Sequence, residues 1–166
     1  MSLKNLLEQN QDVIIERWLD LILATYPSDG SFFLKKQKNQ FANPVGYTIS
    51  KEIEILYQTL FKDVDTETIS TSLDSIIKIR SVQDFSPSKA IGFIFLLKKA
   101  INDELGNTVK EEGLYSELHE IESSIDTLIL KAFDSYMKSK DLLFRIRADE
   151  LNRRTKIILS RYSDTD

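Results

Sequence analysis

Apolar residues recur at steps of three and four positions along most of the chain, which is the spacing of one helix face. No stretch shows the strict alternation of apolar and polar residues that a half-buried strand requires. The pattern therefore predicts an all-α protein, a single helical bundle with a long C-terminal helix. The predicted helices cover residues 3–26, 31–41, 47–61, 67–82, 86–105 and 114–162.

The last predicted helix is the longest and has the most regular apolar pattern. Its first apolar residues alternate steps of four and three, the heptad spacing of packed helices: Leu114, Leu118, Ile121, Ile125, Leu128 and Ala132. A second stripe from Ile129 predicts that the middle of this helix is buried on two sides. Leu142, Leu143 and Ile146 continue the first stripe before charged residues interrupt it. We therefore divide the chain into a helical domain, 1–140, and its helical extension, 141–166.

The helix predicted at 86–105 is apolar on nearly all sides. Ser86 is a favourable N-cap, and Pro87 suits the first helical position. The apolar run at 91–97 predicts the central and most buried helix of the bundle, which we expect to end at Gly106.

The composition excludes several classes of site. A length of 166 residues fits one domain. With no cysteine and one histidine, the chain cannot build disulfides, iron–sulfur clusters, cysteine zinc sites or multi-histidine metal sites, and we expect no metal or cofactor. The longest apolar run is far below the ~20 residues of a membrane span. Because polar residues at 8–12 also argue against a signal peptide, we expect a cytoplasmic protein.

Charge is distributed unevenly. Residues 138–161 contain eight basic and three acidic side chains, a net charge of +5, whereas the whole chain carries −4 and the remainder therefore −9. A basic helix can bind nucleic acid. We do not predict that function, because the chain is acidic overall and the basic segment contains few aromatic residues. A solvated helix end, or a coiled-coil extension toward a protein partner, is the favoured interpretation.

Catalytic signatures are absent from the sequence. It contains no phosphate-binding loop, dinucleotide-binding glycine motif, zinc-protease motif or nucleophile elbow, and we expect that the protein is not an enzyme. His119, close to Glu117 and Glu120, is interpreted as a surface residue. Heme ligation by a single axial histidine is the weaker alternative.

Two arginines stand out near apolar helix faces. Arg80 lies on such a face and Asp84 follows one turn later, and a buried charge normally requires a partner. The favoured interpretation is an ion pair that fixes helix packing, either Arg80–Asp84 or Arg17–Asp84. The alternative is a pocket between helices in which an arginine receives an anionic ligand. The candidate ligand-binding residues are Arg17, Trp18, Tyr57, Arg80, Gln83 and Asp84.

An aromatic-rich run lies between residues 32 and 61. At helical spacing such residues are usually core, and a hydrophobic pocket is the alternative. The residues concerned are Phe32, Phe33, Phe41, Tyr47, Tyr57 and Phe61.

Several short segments resemble, in their order and spacing, the RsbRD-type N-terminal domain of RsbT co-antagonist proteins in bacterial stress signalling. The most specific of them is the stretch Arg80-Ser81-Val82-Gln83-Asp84-Phe85-Ser86-Pro87. The others are Ile15-Glu16-Arg17-Trp18, Tyr26-Pro27, Phe41-Ala42-Asn43-Pro44-Val45-Gly46 and Phe93-Ile94-Phe95-Leu96-Leu97-Lys98.

The resemblance implies a helical domain, related to sensor domains that look like globins without heme. It also implies a homodimer that passes a signal along its C-terminal helix, which in the full co-antagonists leads into a STAS domain. Because this chain ends at Asp166, we expect a stand-alone version. The expected function is a non-catalytic signalling module that dimerises and transmits a signal, or binds a signalling partner, through Leu142, Leu143 and Ile146. The alternative is a small-ligand sensor with an aromatic pocket and contacts from Arg17 and Arg80.

Overall fold

The computed structural model describes residues 2–27, 30, 39, 41–83 and 85–163. Over this part of the chain the protein is all-α, as the apolar spacing predicted, and contains no strand. Phe32, Phe33, Asp84 and nearly all of the helix predicted at 31–41 lie outside the described residues. The helices are α1 (Leu3–Gln9), α2 (Gln11–Leu23), α3 (Pro44–Gln58), α4 (Thr66–Val82), α5 (Pro87–Ile91), α6 (Phe95–Glu112) and α7 (Tyr115–Ser163).

Short polar side chains cap the N-termini of three helices. Ser2 Oγ accepts a hydrogen bond from the Asn5 amide at 3.3 Å, and Asp65 accepts one from the Thr68 amide at 2.8 Å. Asn43 does the same for α3, which begins at Pro44, earlier than predicted. These bonds satisfy amides that have no acceptor within the first helical turn.

The single helix predicted at 3–26 is wrong in one respect, because the chain breaks at Asn10 into α1 and α2. The Asn10 side chain donates to the Leu6 carbonyl at 2.8 Å, and its backbone leaves the helical conformation. Asparagine side chains compete with helical backbone hydrogen bonds in this way. The apolar stripe continues across the break, which is why periodicity alone did not reveal it.

The helix predicted at 86–105 is likewise two helices, α5 and α6. At Gly92 the chain turns so tightly that a Cβ would lie 2.6 Å from the Ser88 carbonyl oxygen. Helix α6 then passes through Gly106 and ends at Gly113, whose φ of 69° is the left-handed conformation that favours glycine. The helix is not buried all round, since Phe95 is 51% exposed.

The core lies inside a closed ring of helices. Helix α2 packs on α3, α3 on α4, α4 on α7, α7 on α6, and α6 again on α2. The apolar stripes of α3 and α4 are buried as predicted: Ile49, Ile53, Leu56, Tyr57, Ile69, Leu73, Ile76 and Ile77. Helix α5 fills the corner between α4 and α7, and α1 packs on α2, α6 and α7. The bundle therefore buries one face of each long helix.

Helix α7 has 49 residues and extends past the bundle. Its last buried residue is Tyr136, and every residue at 151–163 is exposed. The second predicted stripe is buried only in part, because Ile129 and Tyr136 are buried whereas Phe133 and Met137 are exposed. The bundle covers only one side of α7. Among the described residues, no helix combines the length and hydrophobicity that crossing a bilayer requires.

Candidate functional site

Trp18 joins α2 to the corner between α5 and α6. Its fully buried indole Nε1 donates to the Phe93 carbonyl at 2.7 Å, and the two rings stack with centroids 6.5 Å apart. A buried indole N–H needs such an acceptor. The structure therefore gives this predicted ligand-binding residue a packing role.

Tyr57 joins α3 to α1 inside the core. Its fully buried hydroxyl donates to the Leu7 carbonyl at 2.9 Å, and its ring packs edge-on against Phe61. Burial raises the pKa of the Tyr57 phenol well above its usual range. The six aromatic residues do not gather into one described pocket, because Phe41 and Tyr47 are exposed.

Arg17 forms an ion pair at the surface between α2 and α6. Its Nε and Nη2 atoms donate to one carboxylate oxygen of Asp103 at 2.9 and 2.6 Å, and Lys99 approaches the other oxygen. The hydrogen bond from Arg17 lowers the pKa of the Asp103 carboxyl. Arg17 thus binds Asp103, whereas one of the two pairs suggested by the sequence joined Arg17 to Asp84.

Arg80 is the most unusual polar residue of the core, since its long cationic side chain is fully buried at the end of α4. Nε donates to the Ala90 carbonyl at 3.2 Å and Nη2 to the Lys89 carbonyl at 2.8 Å. Nη2 also donates to Thr25 Oγ1 at 3.3 Å. The two carbonyls lie in α5, and all three acceptors are neutral.

Aromatic rings enclose the guanidinium. Its central carbon lies 4.2 Å from the centroid of Phe85, 5.4 Å from that of Tyr26 and 5.9 Å from that of Phe93. Cation–π attraction offsets part of the cost of burying the charge. Burial lowers the pKa of Arg80 and raises the pKa of Tyr26, because each charged form loses its hydration.

The hydrogen bonding of Arg80 is incomplete. Nη1 has no hydrogen-bond partner, and no other buried side-chain nitrogen or oxygen of the described chain is left in this state. A buried guanidinium normally pairs with a carboxylate or another anion. The predicted pair with Asp84 falls on a residue outside the described part of the chain.

A groove of about 500 Å³ lies beside this arginine. It is lined by Thr25, Tyr26, Pro27, Gln83, Phe85, Ser86 and Lys89. Of the predicted ligand residues, Gln83 lines this groove, and its Oε1 accepts a hydrogen bond from Tyr26 at 3.1 Å. Arg80 does not line the groove but contacts Tyr26 and Phe85, which do. The sequence did not assign Tyr26 and Phe85 to a site. Tyr26 follows the C-terminal end of α2, and Phe85 follows the C-terminal end of α4.

The second feature of interest is the exposed part of α7. Leu142, Leu143 and Ile146 continue the side of the helix that faces the bundle, and Leu142 and Ile146 are exposed beyond it. On the other side of the helix lies a second heptad pattern. The sequence analysis did not identify it, although its apolar residues repeat every seven positions. We call it the outer seam, and it comprises Phe144, Ala148, Leu151, Thr155, Ile158 and Tyr162.

A basic row runs beside the outer seam. One basic residue occurs every seven positions: Lys140, Arg147, Arg154 and Arg161. Arg154 pairs with Glu150 on its own helix. Such flanking positions set the orientation and choice of partner in coiled coils.

The described residues contain no group of three or more histidine, cysteine, aspartate or glutamate side chains that could hold a metal ion. His119 is exposed, as predicted.

The family described as the RsbT co-antagonist protein rsbRD N-terminal domain matches residues 12–151. No curated protein matches the chain, and no solved structure does. The match covers the bundle apart from α1, the Arg80 groove and the first part of the outer seam, and it agrees with the resemblance carried by the stretch that begins at Arg80. The chain therefore belongs to the family of RsbRD N-terminal domains.

Proposed function

We propose that the domain forms a parallel homodimer along the outer seam and passes a signal along α7 to a signalling partner. Its family supports a sensor-type module of RsbT co-antagonist signalling, and we propose that this module is not catalytic. The outer seam carries the proposal, because Phe144, Leu151, Ile158 and Tyr162 are all exposed on one helix. Exposed apolar surface of this kind marks interaction sites.

The spacing of the seam favours a second helix as its occupant. Apolar residues that repeat every seven positions pack in the gaps of a facing helix with the same repeat. Leu130 and Met137, both exposed, continue one of the two seam positions toward the bundle, whereas Asp134 and Asp141 occupy the other position there. A second copy of α7 supplies a matching seam of the same length.

The basic row favours the parallel orientation. In an antiparallel pair, the rows of both copies would face each other, and like charges repel. In a parallel pair, Arg147 and Arg154 face Asn152 and Leu159 of the second copy. One like-charged contact remains, between Lys140 and Arg145. The parallel pair places both bundles at the same end of the two helices.

Two contacts connect the bundle to the start of the exposed segment. Ser135 donates a hydrogen bond to Asp74, and Lys140 Nζ donates to the Ser81 carbonyl at 3.1 Å. Both acceptors belong to α4, the helix that also carries Arg80. A change in the position of α4 would therefore act directly on α7, which is the route we propose for the signal.

Single cysteines test which side of α7 forms the interface, and they can be placed freely because the natural chain contains none. In a parallel, in-register pair, Leu151→Cys brings two thiols together, and mild oxidation should give a covalent dimer. Leu142→Cys is the matched control on the other side of the helix and should cross-link far more slowly. Equal cross-linking of both variants, or a wild-type chain that stays monomeric in concentrated solution, would contradict the proposal.

A second candidate function is the sensing of a small ligand, favoured by the unpartnered Nη1 of Arg80 beside the groove. Native mass spectrometry of the purified protein tests it. A reproducible added mass that is lost on gentle denaturation is expected. Two results together would refute this candidate. The measured mass would equal that of the polypeptide alone, and no compound in a broad set of metabolites would raise the melting temperature.

A further inference from the structure

The starting observation is a buried cation with no anion among the described residues. Arginine remains charged in proteins, and Arg80 is fully buried. Its described hydrogen bonds go to two backbone carbonyls and a hydroxyl. These acceptors carry no formal charge, and Nη1 has no acceptor. An anion beside Nη1 would complete both the hydrogen bonding and the charge balance.

The guanidinium and the groove share neighbouring residues. Four residues that contact or bond Arg80 also line the groove: Thr25, Tyr26, Phe85 and Lys89. Tyr26 and Phe85 belong to connections between helices and pack edge to face at 5.3 Å. The Tyr26 hydroxyl is held by an exposed hydrogen bond to Gln83. A ligand in the groove could reach the arginine only if these two side chains rotated, and neither of them belongs to a helix.

We propose that the groove binds a small organic carboxylate that carries a flat apolar group. The carboxylate accepts hydrogen bonds from Nη1 of Arg80, and the apolar group packs against Tyr26 and Phe85. The Lys89 side chain lies at the rim and adds attraction for the anion. The inference rests on the second candidate function, the sensing of a small ligand, and names its ligand class.

The geometry favours a carboxylate over a phosphate. Nε and Nη2 already donate to protein acceptors, which leaves the two N–H groups of one nitrogen. Two N–H groups of one cation match the single negative charge of a carboxylate. The aromatic walls suit an apolar body, because ligand pockets combine apolar lining with a few polar groups that fix orientation.

The experiment is a titration of the full chain with benzoate, followed by calorimetry and by the NMR signal of the Arg80 Nε–H group. Benzamide is the matched neutral ligand, and inorganic phosphate is the anion without an apolar group. Benzoate should bind at least about tenfold more tightly than either, a difference of ~1.4 kcal/mol, and should shift the Arg80 signal.

Two variants locate the site. Arg80→Lys keeps the charge but loses the planar fork, and should weaken benzoate at least about tenfold. If that variant fails to fold, Phe85→Leu replaces it and should also weaken benzoate, because the aromatic wall is lost. Arg17→Lys is the control, since its ion pair with Asp103 lies at a different surface. It should leave benzoate binding unchanged.

Three outcomes would overturn the inference. Equal binding of benzoate and benzamide would leave a ligand sensor but refute the carboxylate class. Benzoate binding that appears only in Asp84→Asn would show that a carboxylate of the chain itself occupies the arginine. If neither benzoate nor benzamide binds the wild type or Asp84→Asn, the inference is refuted. An added mass in native mass spectrometry would in that case still support ligand sensing, but with a ligand of another class.

Discussion

The substitution Leu151→Ala tests the proposed dimer quantitatively. Leu151 lies in the middle of the outer seam with 64% of its surface exposed, so this fraction is available for burial against a second copy. The substitution removes three carbons, worth ~2.4 kcal/mol on complete burial at about 0.8 kcal/mol per carbon. Scaled by the exposed fraction, the loss is ~1.5 kcal/mol per copy and ~3 kcal/mol per symmetric dimer. This corresponds to a dimer dissociation constant about 150-fold higher.

The matched control is Leu142→Ala. Leu142 is 56% exposed, almost as much as Leu151, but lies on the opposite side of α7. The same change of side chain should therefore alter the dissociation constant by less than about twofold. Alanine favours the helical conformation at both positions, so loss of helix does not confuse the comparison.

Sedimentation equilibrium over a wide concentration range provides the measurement, with circular dichroism to confirm equal helix content. The reasoning is refuted if Leu142→Ala weakens the dimer as much as Leu151→Ala, because the interface would then follow the side of α7 that faces the bundle. It is also refuted if neither change has an effect on a dimeric wild type, because the dimer would then form elsewhere.

The other predictions concern the bundle. Tyr57→Phe removes the donor from the buried Leu7 carbonyl and should lower the free energy of unfolding by ~1–3 kcal/mol, seen in chemical denaturation. The pKa of Tyr57 is raised in the folded protein, so its contribution to stability is complete below the unfolded pKa of about 10 and is lost as the pH rises further. The phenylalanine variant should therefore lose less stability than the wild type on alkaline titration. Arg17→Met should raise the pKa of the Asp103 carboxyl in an NMR titration, and an unchanged value would show that the ion pair does not persist in solution. Gly113→Ala should cost ~1–2 kcal/mol because of its positive φ, and unchanged thermal stability would contradict the left-handed helix end.

Local pattern was sufficient to predict the helices whose apolar stripe faces a single neighbouring layer. The stripes of α3 and α4 are buried, and the C-terminal helix begins and ends within a residue of its predicted bounds. The caps at Ser2 and Asp65 are equally local features, because capping depends on residues only three positions away. The breaks at Asn10 and Gly92 escaped prediction, since the apolar stripe remains in phase across both.

The candidate sites depended on distance in space rather than along the chain. Tyr26 and Gln83 are 57 positions apart and meet only because α2 and α4 end at the same corner. The partner of Arg17 is likewise 86 positions away, on α6. No pattern within one segment contains such pairings, and the sequence therefore indicated a charge near an apolar face without indicating what surrounds it.

For α7, the sequence by itself determined a long amphipathic helix with a basic end, because composition and heptad spacing are properties of one segment. The sequence of α7 contains two apolar seams, and periodicity does not show which of them is buried. Only the tertiary structure decided that the seam containing Ile125 is used by the bundle and that the seam containing Leu151 is left exposed. The physical reason is that one side of a helix can pack on only one layer, so the choice depends on what the other helices cover.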